Sequence, residues 1–202
     1  MLVNWQLFGE AFVTLFVIID PPGTVPIFLG LTSSMTTAKR RRAALQSVLV
    51  AFGVIVAFAV FGQTILDYLA ISLPALQAAG GLLLLLVALE LLTDNAKEPE
   101  AQESVNVALV PLGTPLLAGP GAIVATMLFV QRADGLADHV SVGAAIVAVH
   151  VVLFLVLRFA GLIRRVLRDG GVTLITRIAG LLLSAIAVQL VADAIRAFVE
   201  AP

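Results

Sequence analysis

One carboxylate stands where a helix has to break. The run Ile19-Asp20-Pro21-Pro22-Gly23-Thr24-Val25-Pro26 interrupts a long apolar segment. Proline removes a backbone donor and clashes with the preceding turn, and glycine eases departure from helical geometry. A second interruption reads Pro111-Leu112-Gly113-Thr114-Pro115-Leu116-Leu117-Ala118-Gly119-Pro120-Gly121. Six of the nine prolines fall in these two stretches, half a chain apart. The spacing predicts local unwinding over residues 19–26 and 113–121, with new half-helices starting near Thr24 and Ala122. The free N–H groups and positive dipole end of such a start suit an anion such as a carboxylate. Asp20 could hold an ammonium group, bind a cation or carry a proton. Half-helix donors plus one acid would together match a zwitterion.

Each polar residue also has a plainer reading. Asp20 is a favoured N-cap type, and capping is compatible with binding. An ionised carboxylate in mid-membrane costs roughly 2.5–3.5 kcal/mol on insertion scales, so intramembrane acids tend to be functional. Glu90 and Gln189 lie a turn or more inside their segments, where they could line a pathway or make a helix-packing hydrogen bond. His150 has no titratable neighbour in sequence and reads as a packing histidine rather than a proton relay. Without cysteine there is no disulfide framework, thiolate metal site or cysteine nucleophile. No metal ligand set and no cofactor motif is present. HExxH and paired helical aspartates are absent as well, which argues against an intramembrane enzyme.

The elements that must position these residues are membrane helices. Of the 202 residues, 60% are hydrophobic and 12% charged, and the mean hydropathy is +1.10. Soluble domains carry about 25% charged residues. The lipid bilayer is therefore the expected partner, and nucleic acid is not. Six segments could each span about 30 Å of hydrocarbon. They lie near 5–33, 43–67, 73–94, 105–131, 140–163 and 173–199, and each should be helical to satisfy its own backbone. The first basic residue is Lys39, so the N-terminus does not read as a signal peptide and the first segment is expected to stay in the mature protein.

Charge sets orientation. Ten of the twelve basic residues fall around the loops after segments one, three and five; Arg132 and Arg196 are the exceptions. The positive-inside rule makes that side cytoplasmic and turns both termini outward. The halves are also related. Gly81–Asp94 aligns with Gly180–Asp193 at an offset of 99, with identical residues in half the positions. The expected organisation is one transmembrane domain: repeat one 1–94, a polar linker 95–104 and repeat two 105–202. Repeats of three spans insert with opposite topology, which is the arrangement of alternating access. Gly80, Gly81 and Gly180 should permit close helix contact.

Several motifs resemble the MarC family of integral membrane proteins. They are Asp20-Pro21-Pro22-Gly23-Thr24-Val25-Pro26-Ile27-Phe28, Ile71-Ser72-Leu73-Pro74 with Ala79-Gly80-Gly81, and Val110-Pro111-Leu112. Pro115-Leu116-Leu117-Ala118-Gly119-Pro120-Gly121-Ala122-Ile123 and Ile175-Thr176-Arg177-Ile178-Ala179-Gly180-Leu181-Leu182-Leu183 complete the set. The resemblance covers nearly the whole chain. It implies a six-span inner-membrane protein of a bacterium or archaeon, with outward-facing termini. It also implies transport of small neutral amino acids such as glycine and alanine, with proton coupling suggested. Drug efflux is not implied, although the family name comes from a multiple-antibiotic-resistance locus. The family's two breaks carry the substrate site to Asp20, Pro22, Gly23 and Thr24, with Ala118, Gly119, Pro120 and Gly121. Many relatives have asparagine where this chain has Thr24, and a hydroxyl offers one donor where an amide offers two.

The expectation is therefore an all-α membrane protein working as a secondary transporter, with helices one and four broken. A channel or an exporter of another small solute is the alternative, distinguished by saturation and counterflow. A structural membrane subunit would give paired broken helices no purpose. Small residues would also allow a homo-oligomer.

Overall fold

The computed structural model describes residues 3–93 and 117–200. The linker 95–104, Pro111, Gly113, Thr114, Pro115 and the first half of the fourth expected segment lie outside the described residues. Those described form seven helices: α1 (Trp5–Ile19), α2 (Pro21–Leu31), α3 (Thr37–Tyr68), α4 (Leu73–Thr93), α5 (Pro120–Arg132), α6 (Gly135–Arg158) and α7 (Ala160–Glu200). Five stretches are long and apolar enough to cross a membrane: Trp5–Leu31, Thr37–Tyr68, Leu73–Thr93, Gly135–Arg158 and Gly170–Glu200.

Side chains start and stop these helices. The Asn4 carboxamide oxygen accepts the Leu7 N–H at 3.2 Å and caps α1. The Thr36 hydroxyl accepts the Lys39 N–H at the start of α3. Asn4 also ties the chain to the beginning of α6. Its N–H donates to Ser141 Oγ at 2.7 Å, and its side-chain amide donates to Asp138 at 3.0 Å. At the end of α3, Ala70 adopts φ 53°, and Ile71 N–H reaches back to the Leu66 carbonyl at 2.9 Å. That closure satisfies orphan carbonyls of the last turn, a task usually given to glycine. Within α7, Arg168 leaves helical geometry (φ 55°, ψ 175°), separating a short basic turn over 160–167 from the membrane span.

The most extensive helix contact joins α4 and α7. Glycine makes it close. A Cβ on Gly81 would lie 2.8 Å from the Ala187 carbonyl oxygen, and one on Gly180 would lie 3.3 Å from that of Ala88. Partner numbers fall along α7 as they rise along α4, so the two helices run antiparallel. A buried layer of Val17, Leu84, Ala88, Leu183 and Ala187 fills the seam between them and α1. The larger core gathers α1, α2, α3, α5 and α6 around Leu15, Phe28, Ile55, Leu117 and Leu153. Exposed leucines and valines on the outer faces, such as Leu82, Leu86, Leu181 and Val188, suit lipid.

Candidate functional site

The first break is a single residue. Asp20 adopts the left-handed conformation (φ 44°, ψ 65°) and ends α1 while capping α2. Aspartate tolerates that region better than most side chains. At about 1.5 Å per residue, α1 places Asp20 about 22 Å from its own start, and α2 continues for about 16 Å beyond. The carboxyl group therefore sits deep in the span.

The expected unwinding over residues 19–26 is corrected here, as is a half-helix start at Thr24. α2 resumes at Pro21 because proline at the first helical position has its φ preset and loses only an orphan N–H. Pro26 stays inside α2. Pro21 and Pro22 have no N–H, so the carbonyls of Val17 and Ile18 lack their usual donors four residues on. Asp20 Oδ1 accepts the Gly23 N–H at 3.2 Å. Asp20 Oδ2 is buried and has no hydrogen-bond partner among the described residues. Thr24 is buried, and its hydroxyl donates to the Pro21 carbonyl at 2.7 Å. Its one donor is thus spent within the helix.

Gly23 must be glycine for a local reason. A Cβ there would collide with the Asp20 carboxylate and would lie 2.9 Å from Thr176 Oγ1 on α7. The missing side chain leaves room for both groups, and the fold brings Thr176 to the rim of the acid. Sequence reasoning gave Thr176 no role, although it lies in a family-like motif. A hydroxyl residue inside an apolar span was the available signal.

The second break differs in chemistry. Gly119 caps α5 in extended geometry (φ −62°, ψ 162°) with no side-chain hydrogen bond, and α5 starts at Pro120. The expected start at Ala122 is corrected by the same proline rule. The N–H groups of Ala122 and Ile123 share the Gly119 carbonyl at 3.0 and 3.2 Å. The Gly121 N–H has no side-chain cap. A Cβ on Gly121 would collide with Leu84 of α4, so this glycine is also a packing position. Pro22 is half-buried, Gly119 intermediate and Pro120 exposed, while Ala118 and Gly121 are buried. Ile19 and Ala118, the neighbours of the two caps, share one buried cluster with Val25 and Ala122.

Glu90 and Gln189 are not brought together. Both are exposed, and in the antiparallel α4–α7 pair they lie at different levels. Gln189 donates to Asp193 Oδ1 at 2.8 Å. These two residues and Arg132 border a cleft of about 340 Å³ between α1, α5 and α7. Ile186 and Leu190 line the cleft and also pack on the Val17–Leu84–Leu183 layer. His150 is buried, with Nδ1 2.8 Å from the Ile146 carbonyl and its ring edge-on to Phe52. Its Nε2 has no partner among the described residues. No cluster of three or more metal-ligating side chains occurs among them either.

Long apolar helices, lipid-facing leucines and a buried acid at a proline break define a multi-pass integral membrane protein. The chain belongs to the MarC family, since the MarC family integral membrane protein pattern matches residues 5–199. A UPF0056 membrane protein of Methanocaldococcus jannaschii is 39% identical over 201 residues, covering 96% of this chain and 98% of that protein. The UPF0056 membrane protein YvbG of Bacillus subtilis is 33% identical, with 90% of each chain covered. The UPF0056 inner membrane protein MarC of Escherichia coli is 32% identical, with 96% of each covered. No solved structure matches the chain.

Proposed function

We propose that the protein is a secondary transporter of small neutral amino acids, of glycine and alanine type, and that it has no catalytic activity. One observation carries the reading: among the described residues, a deeply placed carboxylate with one buried, unpartnered oxygen sits across a shared core from a helix start with no side-chain cap. The Asp20 oxygen would receive the substrate ammonium. The α5 N-terminus would receive its carboxylate, with Gly119, Pro120 and Gly121 allowing close approach. Thr176 would complete the ammonium end. A proton on Asp20 in the empty carrier would couple transport to a proton gradient.

The transport cycle would be alternating access between two inverted three-helix repeats. α5 is about 20 Å long and cannot cross about 30 Å alone, so a sixth span needs the residues before it. Several contacts support the symmetry. The two caps, Asp20 and Gly119, are 99 residues apart, as are Gly81 and Gly180. Gly81 meets Ala187 while Gly180 meets Ala88, a reciprocal pair under the same offset. The helix pairs α2–α7 and α4–α5 correspond in the same way, as do α2–α6 and α3–α5. The charge bias puts both termini outside, so the cleft beside Gln189 would open outward and end at the Val17–Leu84–Leu183 layer.

Counterflow in proteoliposomes tests the reading against a channel or an exporter of another solute. Labelled alanine should accumulate transiently against unlabelled alanine trapped inside. Linear, non-saturating flux without counterflow would replace the carrier with a channel. Absence of any glycine or alanine movement by folded protein would remove amino acids as substrates.

A further inference from the structure

A second, basic cleft lies away from the two helix breaks. A cleft of about 190 Å³ lies between the start of α3, the end of α6 and the start of α7. Arg40, Arg41 and Arg158 line it, and no acidic side chain does among the described residues. Arg40 is anchored, with Nη2 donating to the Thr32 carbonyl at 3.1 Å. Its Nε is buried and has no partner among the described residues. The Arg158 guanidinium lies 5.5 Å from the Phe159 ring centroid. Arginine matches phosphate oxygens with a planar fork of donors.

Two physical facts sharpen the ligand. Lys39, Arg40, Arg41 and Arg42 all occupy the first turns of α3, a helix of 32 residues. That is the positive end of the helix dipole, where cations are disfavoured and an anion is favoured. Like charges gathered there need a counter-charge. The apolar rim supplies the second fact. Phe159 is 48% exposed, and Leu162 in the short turn before Arg168 is 59% exposed. Cations and apolar side chains meet where membrane-length helices end, at the level of lipid headgroups. A soluble anion has no use for the apolar rim, whereas a phospholipid uses both parts.

We infer that this cleft binds the phosphate of an anionic phospholipid, with an acyl chain against Phe159 and Leu162. Basic pockets between membrane helices hold acidic headgroups in this manner. The bound lipid would brace the α2–α3 and α6–α7 connections together from the basic face of the protein.

Native mass spectrometry after delipidation tests the inference, with phosphatidylglycerol and phosphatidylcholine as probes and inorganic phosphate as competitor. Wild-type protein should retain phosphatidylglycerol with about tenfold preference, because both lipids carry the phosphate but only phosphatidylcholine brings a choline cation that opposes the arginines. Arg40→Gln with Arg158→Gln should bring the two lipids to parity, while Lys39→Gln should not. Inorganic phosphate should leave the retained lipid in place. A photoactivatable phosphatidylglycerol should label the 157–162 segment of unaltered protein, which keeps the test independent of variant folding. Equal retention of both lipids by wild type overturns the site, as does labelling elsewhere. Displacement by inorganic phosphate assigns the cleft to a soluble anion and overturns the lipid.

Discussion

The two helix starts share a proline and differ in one side chain. At the first, Asp20 fills its own cap: Oδ1 takes the Gly23 N–H and the carboxyl group is buried over that glycine. At the second, Gly119 offers no side chain: the Ala122 and Ile123 N–H groups share its carbonyl, and the Gly121 N–H is left without a side-chain cap among the described residues. One break carries an acid, and the other carries the positive end of a helix with no side-chain cap. Identical breaks would suit a symmetric ligand or none. Unlike breaks suit a ligand with opposite charges at its two ends.

The largest expected effect removes the charge and keeps the cap. Asn caps as well as Asp does, so Asp20→Asn should insert and fold normally. Loss of one partner of a buried charge pair costs roughly 3–5 kcal/mol, so alanine transport should fall by more than about 100-fold. Uptake assays and a thermal melt on the same preparation check both halves of this expectation.

Next is a change that makes the breaks alike. The extended geometry of Gly119 accepts any L-residue, so the backbone tolerates Gly119→Asp, while the added carboxylate costs up to roughly 2.5–3.5 kcal/mol at this depth, offset in part by the cap it makes. Its new carboxylate would occupy the α5 donors. The KM for alanine should then rise about tenfold or more, the size of one charge-assisted hydrogen bond. An unchanged KM would mean that the second break does not hold the substrate carboxylate.

A third change separates packing from binding. Gly121 is pressed against Leu84, so a larger residue there reports on the α4–α5 contact before it reports on any pathway. Gly121→Ala should destabilise by about 1–3 kcal/mol through overpacking. Leu84→Ala in the same chain should recover much of that loss, read as the thermal midpoint. The smallest effect is expected from Thr24→Asn, because the Thr24 hydroxyl already donates within α2. A shift of about threefold in the glycine-to-alanine preference, under 1 kcal/mol, is the expected scale.

Much of this architecture was legible in the residues. Apolar length located the five membrane-length stretches among the described residues, because lipid leaves helices few alternatives. Gly80, Gly81 and Gly180 announced tight contacts, and each is pressed against a neighbouring helix. The extent of unwinding was misjudged. Counting prolines as breakers overlooked that Pro21 and Pro120 stand at first helical positions, where proline favours a start. Asp20 was legible because an acid is costly in an apolar run. Thr176 was not, because a threonine on one helix does not reveal which glycine it faces on another. The basic cleft was visible only as scattered arginines, since the end of α6 and the start of α3 meet only in three dimensions.

The most direct test of the account compares labelled-alanine uptake into proteoliposomes by wild type, Asp20→Asn and Gly119→Asp, each shown to be folded. The account expects saturable uptake by wild type, near-complete loss in Asp20→Asn and a raised KM in Gly119→Asp. Wild-type uptake by Asp20→Asn would contradict it, because the only carboxylate at either break would then play no part in moving the substrate.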